Sequence, residues 1–401
     1  MSEPPAEQDG DVLAAPPPRA RRLVFAAVTG LALAVALAVA GVIIATRQAP
    51  PRPVATLSGP RGHAPCSAAF SPDGTTLAVA GCGDSVALWN IATRRQVATL
   101  TSPRCPLGGQ VIFSPDGRTL ALLGGQAVSP TGRRYHLATC LWELATRRET
   151  TLTDPPLLAA TSAQGAFSPD GTTLAVADNS GNIYLWNLAA RRVTATVPAS
   201  SYCANGCPIA FSPDGTMLAV GQTESSGTEP SSAHVYLWDL AARRWAGTLT
   251  AGKGPISSLA FGRHGILAVG ADDDHAYLWD VPARRLASTI APPIDVAQGN
   301  ASISKDGTPY PTPGAFDQST TAAFSPDGMT LAIDASFGYG TYLYNAATRN
   351  RVATLPYPAC QYHDAAGLVF SPDGTMLAVD DIYLGYDHGH VYLWDVTRNR
   401  S

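Results

Sequence analysis

The residues best placed for acid–base or metal chemistry are aspartates and histidines that fall side by side. Asp272-Asp273-Asp274 runs into His275, His363 precedes Asp364, and Asp387 precedes His388. A carboxylate beside an imidazole can orient the ring and hold its charge, as a general base or a metal ligand set requires. With Tyr310 these give the candidate binding residues: Asp272, Asp273, His275, Tyr310, His363, Asp364, Asp387 and His388. They are spread along the chain, and polar loops account for them equally well, so none is assigned a catalytic role. No Gly-rich phosphate loop, Gly-x-Ser-x-Gly elbow, His-Glu-x-x-His pair or kinase signature set is present. No cofactor and no metal are expected.

Seven cysteines offer a second chemistry. Cys203 and Cys207 share one connection and form the first candidate disulfide, with Cys82–Cys105 and Cys66–Cys360 as further candidates between neighbouring repeats. Cys140 is left over, as a small apolar residue of a strand. Cys203-x3-Cys207 is a poor zinc pair, because a structural site needs a second pair of ligands. Disulfides suit an oxidising compartment.

Composition narrows the function classes. The 401 residues contain 37 Gly and 33 Pro, only 14% are charged, and the net charge is −4. Such a chain is neither a charge-driven disordered protein nor a coiled coil. It offers nucleic acid no basic surface of the usual strength. Positive charge is almost all arginine, with Lys253 and Lys305 the two lysines, a bias that points to a GC-rich bacterial genome.

Residues 1–22 are polar and Pro-rich and read as a disordered cytoplasmic tail ending in Arg19, Arg21 and Arg22. Leu23 to Ala45 carries no charge. As a helix at about 1.5 Å per residue it would measure roughly 34 Å, enough for a hydrocarbon core of about 30 Å. The expectation is a single transmembrane helix at 23–45, with a linker at 46–52. A cleaved secretory signal ending at Ala38-Val39-Ala40 is the alternative. More arginine precedes the span than follows it, which favours a cytoplasmic N-terminus and an exported body.

Self-comparison of residues 53–401 reveals seven units. Phe-Ser-Pro-Asp-Gly begins at Phe70, Phe113, Phe167, Phe211, Phe324 and Phe370, and a degenerate copy, Phe-Gly-Arg-His-Gly, begins at Phe261. Each is followed by an apolar run, a second run ending in Trp89, Trp142, Trp186, Trp238, Trp279, Tyr344 or Trp394, a turn, and a fourth run. Ser-Pro-Asp-Gly suits a tight hairpin: Pro fixes φ, Asp bonds its own backbone and Gly accepts a positive φ. Four short strands per unit describe a propeller blade. The fold class is therefore all-β, a seven-bladed propeller of four-stranded antiparallel blades.

The repeats resemble the WD-repeat β-propeller family. The resemblance rests on Trp238-Asp239, Trp279-Asp280 and Trp394-Asp395, on the drifted pairs Trp89-Asn90, Trp186-Asn187 and Trp142-Glu143, and on Gly62-His63. The family's turn aspartate is matched at Asp84 and Asp273 but not in most units, so the Asp–His–hydroxyl–Trp network that the resemblance implies is incomplete here. The last unit stops at Thr397-Arg398-Asn399-Arg400, where a fourth strand should begin, and a twin of that strand, Val54-Ala55-Thr56-Leu57, stands at the start. Pairing of the two would close the ring.

Connection lengths sort by face. Ser-Pro-Asp-Gly turns and Trp-following turns are uniform and share one face of a propeller. Insertions at Gly124–Ala138, Gln222–Ala233, Ala291–Thr321 and Asp380–Gly389 all fall on the other. Loops on a rigid scaffold are where binding resides. The expected function is a non-enzymatic binding or scaffold module, anchored in the membrane and extracytoplasmic, holding a protein or peptide partner or sensing a ligand on the variable face. The alternatives are a hydrolase or lyase using the Asp and His groups of that face, and a scaffold facing the cytoplasm. The uniform face carries Arg94-Arg95, Arg147-Arg148, Arg191-Arg192, Arg243-Arg244 and Arg284-Arg285. These would suit anionic lipid head groups or wall polymers, or are solvated turns partly neutralised by the neighbouring aspartates.

Overall fold

The computed structural model describes residues 51–60, 64–81, 85–101, 109–123, 137–157, 163–178, 182–198, 207–224, 232–273, 275–292, 320–335, 340–357, 364–382 and 389–397. The chain divides into residues 1–50 and 51–401. The expected tail and membrane span at 23–45 lie outside the described residues. Among the described residues, no helix is long and apolar enough to cross a membrane.

Strand β1 is Ala55–Ser58. The first blade contains β2 (Pro65–Phe70), β3 (Thr76–Gly81), β4 (Ser85–Asn90) and β5 (Arg95–Thr101). The same four-strand order recurs from Gln110, Ala163, Ile209, Ile256 and Thr320. The seventh blade contributes β26 (Asp364–Phe370), β27 (Met376–Ile382) and β28 (His390–Asp395), and its outer strand is β1. The register is antiparallel, Ala55 opposite Leu393 and Ser58 opposite His390, with the Val54 N–H donating to the Leu393 carbonyl. Each blade's innermost strand lies against that of the next blade, and the seventh lies against the first. The ring is closed, as the split fourth strand implied, and the open edge it would otherwise leave is removed.

Burial follows the apolar runs. Second strands are covered on both sides by neighbouring blades, so they read as continuous hydrophobic segments. Leu77, Leu120, Leu174, Leu218, Leu267, Leu331 and Leu377, one per blade, are all fully buried. Outer strands alternate instead, with Val97 exposed and Leu100 buried in β5. In the fourth blade the second and third strands run further into the expected insertion, Met217–Glu224 against Ser232–Asp239. Burial continues along the added length at Gln222 and Ala233.

The turn chemistry repeats closely. Ser71 Oγ donates to Asp73 Oδ1 at 2.5 Å and accepts from the Thr76 N–H, the Thr75 N–H donates to the same carboxylate, and Gly74 sits at φ 71°. Asp116, Asp170, Asp214 and Asp373 make the equivalent Ser-to-Asp bond. The serine hydroxyl and then the backbone N–H hold these carboxyl groups below the ordinary Asp range. The degenerate fifth turn lacks the serine and keeps its shape by placing His264 and Gly265 in the left-handed region.

A second repeat latches blade to blade. At three junctions the residue three before the turn phenylalanine accepts from a backbone N–H of the following blade: Ser67 from Val111, Gln110 from Gly165, and Ser258 from Ala322. In the seventh blade that position is Gly367, and the acceptor is instead Asp380 of β27, which takes the Ala68 N–H of the first blade. Gly367 leaves room there, because a Cβ would stand 3.0 Å from Asp380 Oδ2. Asp380 is 2% exposed, its Oδ1 has no partner, and no cation offsets it among the described residues. Burial raises its pKa to about 7.

Two outcomes follow from closure. Deleting residues 53–58 should lower Tm sharply, since it strips β28 of its partner; an unchanged melt would refute the closed ring. Asp380 holds its proton in the fold up to about pH 7 but releases it near pH 3.8 when unfolded. Its contribution therefore declines as pH rises through that window, with a limiting slope of about 1.4 kcal/mol per pH unit. Asp380→Asn keeps an acceptor without the charge. It should be more stable than the parent at pH 8, and its stability should vary less between pH 5 and 8, as measured by denaturant unfolding.

Candidate functional site

The connections entering the first and third strands open on one face, and they vary from Gly254-Pro255 to residues 291–319. On this face the structure brings together three of the candidate residues, Asp272, Asp273 and His275, at the turn before the third strand of the fifth blade. The close packing is local. A Cβ on Gly252 would fall 2.4 Å from Asp273 Oδ2 and from the Tyr277 hydroxyl, and Gly252 sits at φ 66°. A glycine at that point lets the fourth blade's outer strand approach the Asp273 carboxylate.

The carboxylate is already engaged. The Tyr277 hydroxyl donates to Asp273 Oδ2 at 2.6 Å and the Lys253 N–H donates to it at 3.1 Å. Burial, followed by this bond, pushes the Tyr277 hydroxyl well above the ordinary phenol range. His275 Nδ1 donates to the Asp273 backbone carbonyl at 2.5 Å and lies 3.6 Å from Oδ1. The imidazole is thus held through Nδ1, with its side chain 39% exposed. Asp272 is half-buried, and its N–H donates to the Pro255 carbonyl. This arrangement fixes a turn and presents one imidazole for hydrogen bonding. It places no nucleophile in hydrogen-bond contact with the histidine among the described residues. Among the described residues no cluster of His, Cys, Asp or Glu could hold a metal ion.

Asp364 opens β26 at the same face. Tyr310, His363, Asp387 and His388 lie outside the described residues, as do Cys82, Cys105, Cys203 and Cys360 and the turn residue Asp84. Cys66 is in β2, and Cys207 stands at the entry to the fourth blade. Cys140 is fully buried in its strand, but it is engaged with another group rather than left over.

The sequence reading missed a recurring Asp–Tyr contact. Tyr184 donates to Asp178 at 3.4 Å, and Asp334 accepts from the Tyr357 hydroxyl and, at 2.6 Å, from Thr341. With Asp273–Tyr277, such a bond occurs in the third, fifth and sixth blades. The indole nitrogens of Trp89, Trp279 and Trp394 have no hydrogen-bond partner among the described residues. In the sequence, Tyr184 and Tyr277 each stand two places before a Trp and follow an aspartate by six and four residues, whereas the Asp334–Tyr357 pair has no such local mark.

The uniform face is also not featureless. A cavity of about 530 Å³ lies between the third and fourth blades, lined by Pro169, Asp170, Leu185, Phe211, Trp238 and Arg243 among others. At the next junction the corresponding arginine, Arg284, packs on Gly247 and donates to the Ala246 carbonyl at 2.7 Å. The third blade has Ala195 in place of Gly247.

Comparison with known proteins agrees with this architecture. The family model for the WD domain, G-beta repeat, matches residues 51–90, 158–187 and 244–280. The chain therefore carries WD40 repeats within a seven-bladed propeller. The first and third matches each begin with the outer strand of one blade and end in the third strand of the next. The repeat unit is thus offset from the blade, which is what lets β1 complete the seventh sheet. No curated protein matches the chain.

If Asp273 is a turn residue, Asp273→Ala should cost about 2–3 kcal/mol, since it leaves a buried hydroxyl and an N–H unpaired. His275→Ala should stay within about 0.5 kcal/mol. Denaturant titration checks both, and the reverse order would mark Asp273 as a free ligand group.

Proposed function

We propose that this protein is a non-enzymatic binding module, a membrane-anchored propeller that holds a protein or peptide partner on its variable face. The observation that carries the reading is the sorting of connections. Every variable connection opens on one face, while both constant turn types occupy the other. Packing of the blades constrains both ends of each strand alike, so it does not by itself produce such one-sidedness. A rigid ring holding diverse loops also loses little conformational freedom on binding.

Residues 23–45 are the proposed single-pass anchor, and the arginine bias around them supports an extracytoplasmic propeller. Cys203–Cys207, Cys82–Cys105 and Cys66–Cys360 are the proposed disulfides, in keeping with that compartment. Contact residues are proposed at His275, Tyr310, His363, Asp364, Asp387 and His388, with Asp272 and Asp273 shaping the turn that presents His275.

Crosslinking in intact cells tests the site. Alanine at Tyr310, His363, Asp387 and His388 together should reduce recovered partner at least tenfold with Tm unchanged. Loss of capture accompanied by a fall in Tm would make these residues structural. A membrane-impermeant thiol reagent tests the placement. The cysteines should react from outside once reduced, whereas reaction only after lysis would put the propeller in the cytoplasm.

A further inference from the structure

The two-arginine turns of the uniform face are not used by the binding reading, and their backbone is unusual. Arg94, Arg147, Arg191, Arg243, Arg284 and Arg349 all lie at φ between 50° and 64°. This is the left-handed region, where side chains are disfavoured and Gly or Asn is favoured. A turn shaped by folding alone would settle on those residues. Here arginine occupies the position six times, and each of the six is exposed. The residue that follows the left-handed one is also an exposed arginine at Arg95, Arg148, Arg192, Arg244 and Arg285.

The turn carboxylates on this face offset part of that charge without pairing with the arginines. Asp73, Asp116, Asp170, Asp214 and Asp373 are each tied to the serine and backbone of their own turn, and Asp327 is tied to Ser325 in the same way. Arg285 pairs with Asp280 at 3.1 Å, and Arg284 reaches the Ala246 carbonyl. Neither Arg94, Arg147, Arg191 nor Arg243 has a side-chain partner within the described propeller. Meanwhile the chain as a whole has net charge −4, so this concentration of guanidinium groups runs against the overall balance.

Strand β1 shows on which side the chain enters the propeller. It runs from Ala55, opposite Leu393, to Ser58, opposite His390. Its first residue therefore lies toward the end of β28 that leads into Asp395, which is the arginine side, and Pro51 enters the propeller there. Ala45, the last residue of the apolar segment, is followed by the seven residues Thr46–Arg52. Fully extended, they reach at most about 25 Å at roughly 3.6 Å per residue. We infer that the left-handed arginines of the uniform face form a docking surface for the phosphate head groups of an anionic bilayer, leaving the variable face free for the partner. The inference rests on residues 23–45 being the anchor. A planar guanidinium bonds phosphate through two parallel N–H groups, and a ring of such groups fits a flat array of head groups.

The test uses the full chain reconstituted in vesicles of phosphatidylcholine alone or with one-third phosphatidylglycerol. A water-soluble phenylglyoxal labels exposed arginines, an amine reagent labels Lys253 on the variable face, and mass spectrometry reads both. Labelling at Arg94, Arg147, Arg191 and Arg243 should be at least threefold slower with phosphatidylglycerol. Molar salt should abolish that protection, because it screens such contacts. Lys253 should label equally in both. The combined Arg94→Asn, Arg147→Asn, Arg191→Asn and Arg243→Asn variant suits the backbone better, so it should fold, and it should lose most of the protection at Arg95, Arg148 and Arg192. Equal arginine labelling in the two vesicles overturns the inference, as does protection that falls on Lys253 instead. Carbonate extraction reads the anchor separately. If the chain washes off, the anchor reading fails, and the same labelling with vesicles added from outside still decides whether the arginines meet the bilayer.

Discussion

Closure of the ring by the pairing of Ala55–Ser58 with His390–Asp395 is the constraint on which the rest of this structure depends. A propeller blade has two covered faces only when a neighbour stands on each side. Without closure, the first and seventh blades would each expose an apolar sheet face, and β28 would expose a row of backbone donors and acceptors. The chain meets this by dividing one blade between its two ends. Closure also sets the polarity of everything else, since it decides at which face the chain enters and which connections lie opposite.

Neighbouring blades are then held by a repeated polar latch within an apolar interface. Serine and glutamine serve at three of the junctions, through Ser67, Gln110 and Ser258. The closing junction uses a buried carboxylate, Asp380, which costs more to bury than a hydroxyl or an amide. At the closing junction, then, the latch itself is an ionisable group.

Much of the fold was legible in the sequence because a propeller repeats one local solution. Phe-Ser-Pro-Asp-Gly dictates a turn through the φ preferences of Pro and Gly and the short reach of the Asp side chain, and those effects are local. The pairing of the segment at Val54 with the seventh blade was legible for the same reason. The site was less so. Asp273 and His275 were singled out by residue type, yet the contacts that tie Asp273 into the turn come from Tyr277 and from Lys253 of the neighbouring blade. Those contacts depend on Gly252 letting the strands approach, a tertiary matter that spacing does not carry. Asp380 escaped notice because its partner, Ala68, lies at the other end of the chain. The left-handed backbone of the arginine turns was invisible too, since arginine is not the residue that conformation favours.

Amide hydrogen exchange of β1 tests the closed ring most directly. If β1 is the outer strand of the seventh blade, the amides of residues 54–57 that donate to β28 should exchange as slowly as those of the other outer strands, such as Val97–Leu100. Exchange of these amides at the rate of an unstructured peptide, with the third strand His390–Asp395 also unprotected on its outer edge, would contradict it. The assignment of the two faces would then lose its basis.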